Sequence, residues 1–244
     1  MTKSFRLNTL TRSLALISAA GLLAACNGSS HSDSSADTTD RMYQVAITNL
    51  TAGQPLSPVA LVGHNSDYHA FTVGQASSVA LEQLAEGGDN SALISEAGSH
   101  AGVYGTATAS APLAPGGTET LTLSVTAANS EDLKLTAVTM LVNTNDAITG
   151  LNGIDLSSLA NGESLSMNTI GYDTGTEANS ETAASIPGPA AGGEGFNADR
   201  DDIRDMVLMH SGVVTADGGL VDSALHEMHR WDNPITRMTI TRIQ

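Results

Sequence analysis

The chain has 244 residues, 26 of them acidic and only 10 basic, for a net charge of −16, with 3% aromatics and one cysteine. So acidic a surface repels nucleic acid and anionic lipid and is compatible with divalent cations. A single cysteine excludes an intramolecular disulfide framework.

The first 25 residues read as an export signal. Lys3, Arg6 and Arg12 give a positive start with no acid, and Leu14 to Leu23 is an apolar run too short to span a bilayer. Leu23-Ala24-Ala25-Cys26 then matches a lipobox, so cleavage is expected before Cys26, with lipid on its thiol. Two or three acyl chains hold a protein firmly on a membrane, whereas one holds it weakly. Asn27 follows the cysteine; lipoproteins kept on the inner membrane usually carry Asp there, so the outer membrane is expected if the cell is Gram-negative. Losing residues 1–25 leaves seven basic against 26 acidic residues, a net charge of −19. Residues 26–40 are polar and low in complexity, which predicts a flexible tether.

From Arg41 to Gln244 the length suits one domain. Tyr43 to Leu50 alternates, with Val45 and Ile47 on one face. Val79–Ala85 and Ser91–Ala97 read as short helical segments broken by Gly87-Gly88. Leu121, Leu123 and Val125 alternate with Thr122, Ser124 and Thr126. Leu133 to Val142 is a longer apolar run, the pattern of a central strand covered on both sides. Met206–His210 reads as a short strand, and Ile235–Ile243 as a closing strand with Met238 and Ile240 on one face. Several strands with one helical excursion predict an all-β antiparallel sandwich. The segment from Asp173 to Asp205, rich in Gly, Pro, Ala and acid, is too long for an ordinary connection.

Four segments in order resemble the spondin domain, the amino-terminal module of F-spondin and mindin. They are Tyr43 to Tyr68, with Gly63-His64-Asn65-Ser66-Asp67-Tyr68; Ala76 to Asp89; Met140 to Leu156; and Tyr172 to Glu181, followed by Ile186-Pro187-Gly188-Pro189. The closing Pro234-to-Ile243 strand fits as well. The resemblance implies a C2-like β-sandwich over residues 41–244, a role in binding at surfaces, and a Ca2+ ion among loop carboxylates at one end. By motif it assigns metal ligands to Asp146 of Asn-Thr-Asn-Asp and to Asp173 of Tyr-Asp-x-Gly-Thr. A third ligand, usually a Glu, is matched by Ser124 in Leu123-Ser124-Val125, with Glu177 as a replacement. Read from the residues alone, Asp146 ends an apolar run and Asp173 precedes Gly175 in a turn; Asx residues also favour such places for local hydrogen bonding.

No nucleophile motif is present, and Gly192-Gly193 lacks the Lys of a phosphate loop. His226-Glu227-Met228-His229 is one residue short of a zinc-protease motif. The leading expectation is therefore a non-enzymatic binding or adhesion module. It would be lipid-anchored in the cell envelope, with carbohydrate or a surface protein as partner and no nucleic acid. A metal hydrolase using His226 and His229, or a purely structural envelope lipoprotein, are the alternatives.

Overall fold

The computed structural model describes residues 40–126 and 130–244. The signal segment, Cys26 and all but the last residue of the expected tether lie outside the described residues.

The alternation seen in the sequence becomes two antiparallel sheets. The first has four strands: β1 (Arg41–Asn49), β4 (Thr118–Val125), β7 (Ser164–Asn168) and β10 (Thr236–Arg242), in the order β4-β1-β10-β7. The second has six: β2 (Ala60–His64), β3 (Val103–Thr108), β5 (Lys134–Met140), β6 (Ala147–Asp155), β8 (Ile170–Asp173) and β9 (Leu208–Met209), in the order β3-β2-β5-β6-β8-β9. Tyr43, Val45, Ile47, Leu123, Val125, Met238 and Ile240 face Leu61, Leu135, Ala137 and Leu151 across the interior. The expected all-β antiparallel sandwich is what the chain forms.

The six-stranded sheet is covered on its other face too. There Ala60, Val62, Val138 and Ile148 meet Leu81, Leu84, Leu93 and Ala97 from the two helices α1 (Val79–Gly87) and α2 (Ser91–Ser99). This is why Leu133 to Val142 carries apolar residues for both faces: β5 lies mid-sheet between two cores. Ser78 caps α1 by accepting from Leu81 N–H, and Gly88 ends it at φ +70°, donating to the Leu84 carbonyl.

Two joints tie the sheets at their margins. At one, Thr126 N–H donates to Tyr104 O, and a Cβ on Gly105 would stand 2.0 Å from the Ser124 carbonyl, so only glycine fits. At the other, β7 and β8 are one strand that changes sheet across Thr169. Its hydroxyl lies 2.7 Å from those of Thr149 on β6 and Thr236 on β10, a buried chain that fastens the crossing.

Met206–His210 yields only the two-residue strand β9. From Thr174 to Val207 the chain forms no named strand or helix and is held by side-chain bonds.

Candidate functional site

The loop between β5 and β6 carries Asn143-Thr144-Asn145-Asp146, and each side chain is spent on an anchor. Asn143 N–H donates to Gln54 Oε1 (3.1 Å), and its Nδ2 donates to the Gly53 carbonyl (3.0 Å). Thr144 Oγ1 closes the turn onto Leu141 O at 2.6 Å. Asn145 Oδ1 accepts from Glu181 N–H (3.1 Å), and its Nδ2 donates to Glu177 Oε2 (3.2 Å).

Asp146 is fully buried. Its Oδ2 accepts from Thr176 N–H (2.8 Å), the Thr174 hydroxyl (3.0 Å), the Thr176 hydroxyl (3.3 Å) and Glu177 N–H (3.3 Å). Among the described residues, its Oδ1 has no hydrogen-bond partner. Burial, with Asp173 adding repulsion, pushes the carboxyl up to about 7. Such an orphaned carboxylate oxygen is costly unless a cation or proton meets it.

Asp173 ends β8, paired with Ala147 in register, so the sheet itself sets it beside Asp146. Its Oδ1 accepts from Gly175 N–H (2.8 Å) in a turn where Gly175 has φ +71°. Its Oδ2 accepts from Asn179 Nδ2 (2.6 Å), whose Oδ1 meets His210 Nε2 at 3.0 Å. Gly212 N–H donates to His210 Nδ1, which puts the proton of the neutral ring on Nε2. Burial holds His210 below the usual imidazole range.

Glu177 is buried beside Asp146 and is pushed up to about 7, first by burial, then by Glu86 and Asp146 among its neighbours. The structure therefore brings Asp146, Asp173 and Glu177 to one end of the sandwich.

Ser124 is not brought there. It is exposed on the outer face of the four-stranded sheet, opposite Met42. The Asp146 loop lies at the other end of β1: Asn49 Nδ2 bonds Gln54 O, and Gln54 Nε2 bonds Asn143 O. Met42 and Asn49 are seven residues apart on that strand, roughly 23 Å at about 3.3 Å per residue. The third-ligand assignment fails because β4 runs its hydroxyls outward, away from the loops.

His226 and His229 sit on a short 3-10 turn, with ring centroids 6.3 Å apart. His226 is largely exposed near Asp217 (3.6 Å), while His229 Nδ1 accepts from His226 N–H. Among the described residues, no three His, Cys, Asp or Glu side chains stand together as a ready-made metal cage.

Sequence reasoning missed Glu82 and Glu86, both buried on α1. Their signal was present in Leu81-Glu82-Gln83-Leu84-Ala85-Glu86, where acids at i and i+4 flank the apolar stripe. It missed Glu181 as well, although Glu181 is a clamp. Its carboxylate accepts from Val214 N–H (2.6 Å), Thr215 N–H (2.9 Å) and the Ser223 hydroxyl (2.6 Å).

A protein-family model, Spondin_N, matches residues 49–189, more than half of the chain. The match takes in β2 to β8, both helices and the Asp146, Asp173 and Glu177 loops. It leaves out most of β1, and β9 and β10 entirely. No curated protein matches the chain.

Proposed function

The chain belongs to the Spondin_N family, and from that premise we propose that it is a lipid-anchored binding module of the cell envelope rather than an enzyme. It would hold Ca2+ at the Asp146 end of its sandwich. The observation that carries the calcium reading is the unpartnered, fully buried Asp146 Oδ1 beside two further carboxylates. The donor set is all oxygen and strongly anionic, which fits a hard cation such as Ca2+ and not a thiolate- or imidazole-seeking one. Asp146, Asp173 and Glu177 are the residues that would hold it; Ser124 is not among them. A bound Ca2+ would supply the positive charge that offsets their mutual repulsion.

The chain's own residues already preorganise the place. Thr174, Thr176 and Asn145 fix Asp146 and Glu177 by bonds to one oxygen each, which leaves the others free to ligate. The loops so ordered, 143–146 and 173–181, are themselves largely buried, with Asn179 exposed. The described chain enters the sandwich at Arg41, the end of β1 far from these loops. Carbohydrate or a surface protein is the partner class this reading carries.

Thermal unfolding with and without Ca2+ tests it. An ion bound only by the folded form adds RT ln(1 + [L]/Kd), about 2.7 kcal/mol at a hundredfold excess over Kd. For a domain of this size that is a rise of roughly 5–10 °C. Asp146→Asn, Asp173→Asn and Glu177→Gln should each remove most of the calcium-specific rise, and Asp202→Asn should not. Equal responses from all four variants would reduce the effect to general screening and end the assignment.

A further inference from the structure

We infer that the chain has a second divalent-cation site, adjoining the Asp146 site, between Glu82 and Glu86 on α1. The two residues stand at i and i+4, so their Cβ atoms lie about 5–6 Å apart on one helix face. Both side chains are almost wholly buried, at 2% and 1% exposure. Each has one oxygen engaged: Arg200 Nη2 donates to Glu82 Oε2 at 2.6 Å, and Asn197 N–H donates to Glu86 Oε2 at 2.9 Å. Each has its other oxygen, Oε1, buried with no partner among the described residues.

Orphaned carboxylate oxygens are rare because each leaves a desolvated anion unanswered. Here two belong to neighbouring carboxylates on one helix, apart from the one on the Asp146 loop. Among the described residues, Arg200 is the only basic side chain bonded to the pair, and it shares its charge with Asp205 at 2.6 Å. Two carboxylates against part of one guanidinium leave negative charge in excess. Oxygens on Cβ atoms so spaced can both reach a cation that takes ligands at about 2.3–2.6 Å.

The cover over this place is built from one segment. Asn197 bonds Glu86, and Arg200 bonds Glu82 and the Ser77 carbonyl (2.9 Å). Asp201 is tied to the Asp146 side through Thr176 O and Ala178 N–H. The stretch 197–201 thus roofs both carboxylate groups, and a cation between Glu82 and Glu86 would hold that roof down from below. This gives the acid-rich segment after Gly195 a specific task.

Equilibrium dialysis of the full chain against 45Ca2+ counts the sites. Two equivalents are expected for the wild type, one for Glu86→Gln, one for Asp146→Asn and none for the double variant. Loss of an equivalent in Glu86→Gln but not in Asp146→Asn would uphold the α1 site while removing the loop site. One equivalent in the wild type, kept in Glu86→Gln, would mean that a proton closes the pair, and would overturn the inference. Should Glu86→Gln fail to fold, crystals of the unmodified protein soaked in Mn2+ decide the matter. An anomalous peak within bonding distance of Glu82 Oε1 and Glu86 Oε1 supports the site, and a map without one there overturns it.

Discussion

Asp146 and Ser124 show what a sequence discloses about a site residue by residue. Asp146 was legible through the resemblance, in Asn-Thr-Asn-Asp, whereas the residues alone show only that it ends an apolar run, a place Asx side chains also favour for local hydrogen bonding. Its neighbours were not: nothing in Thr174-Gly175-Thr176 announces that two hydroxyls and two amides converge on one oxygen 28 to 31 positions away in sequence. Ser124 was matched by local pattern alone. Pattern fixes which face of a strand a residue takes, but not which end of the sandwich that strand end reaches. The placement reverses what the motif implies for Ser124→Glu. A glutamate at an exposed outer-face position, roughly 23 Å from the loops along β1, should leave calcium affinity unchanged. Titration calorimetry checks this; tighter binding would put the residue back in the site.

Among the elements, β1, β4, β5 and β10 were readable because each either alternates or, like β5, carries apolar residues for both faces. The strand β6 was hidden by Gly150 and Gly153, which read as turn signals. Gly150 is in fact demanded by packing, since a Cβ there would lie 1.9 Å from the Ala137 carbonyl. The strand β8 has four residues, too few for a period to show, and of Met206–His210, read as a strand, only Leu208–Met209 forms one. The long segments after β8 are fixed by buried carboxylates and amides, which composition counts as ordinary polar loop. Glu181 tests that reading. Its carboxylate takes three donors from the 214–223 loop while its own backbone holds φ +53° and its N–H is bonded to Asn145. Glu181→Gln replaces one acceptor oxygen with an NH2 that faces a donor. A loss of about 1–3 kcal/mol is expected, the cost of leaving a buried polar group unsatisfied. Urea unfolding measures it, and a change within 0.5 kcal/mol, the ordinary range for surface substitutions, would show that the clamp is dispensable.

For the whole molecule, the order β4-β1-β10-β7 sets where the domain can be cut. The first and last strands are neighbours in the middle of the four-stranded sheet, joined from Tyr43↔Arg242 to Asn49↔Thr236. The strand β10 also carries β7 on its far side, from Arg237↔Asn168 to Thr241↔Ser164. Removing it would part β7 from β1 and expose Val45, Ile47 and Leu123, whose inner face Met238 and Ile240 complete. The matched span, 49–189, is therefore a stretch of related sequence and not a unit that folds. A chain cut to residues 41–244 loses no core residue of the described structure and is expected to fold, with a far-ultraviolet circular dichroism spectrum dominated by strand and a cooperative thermal transition. A chain cut to 41–189 lacks β9, β10 and the loop that Glu181 clamps, and its open sheet offers a long apolar edge to other chains. It should give no cooperative transition and should aggregate at micromolar concentration. A sharp transition from the shorter chain would mean that the four-stranded sheet re-forms without its central strand, contrary to the topology.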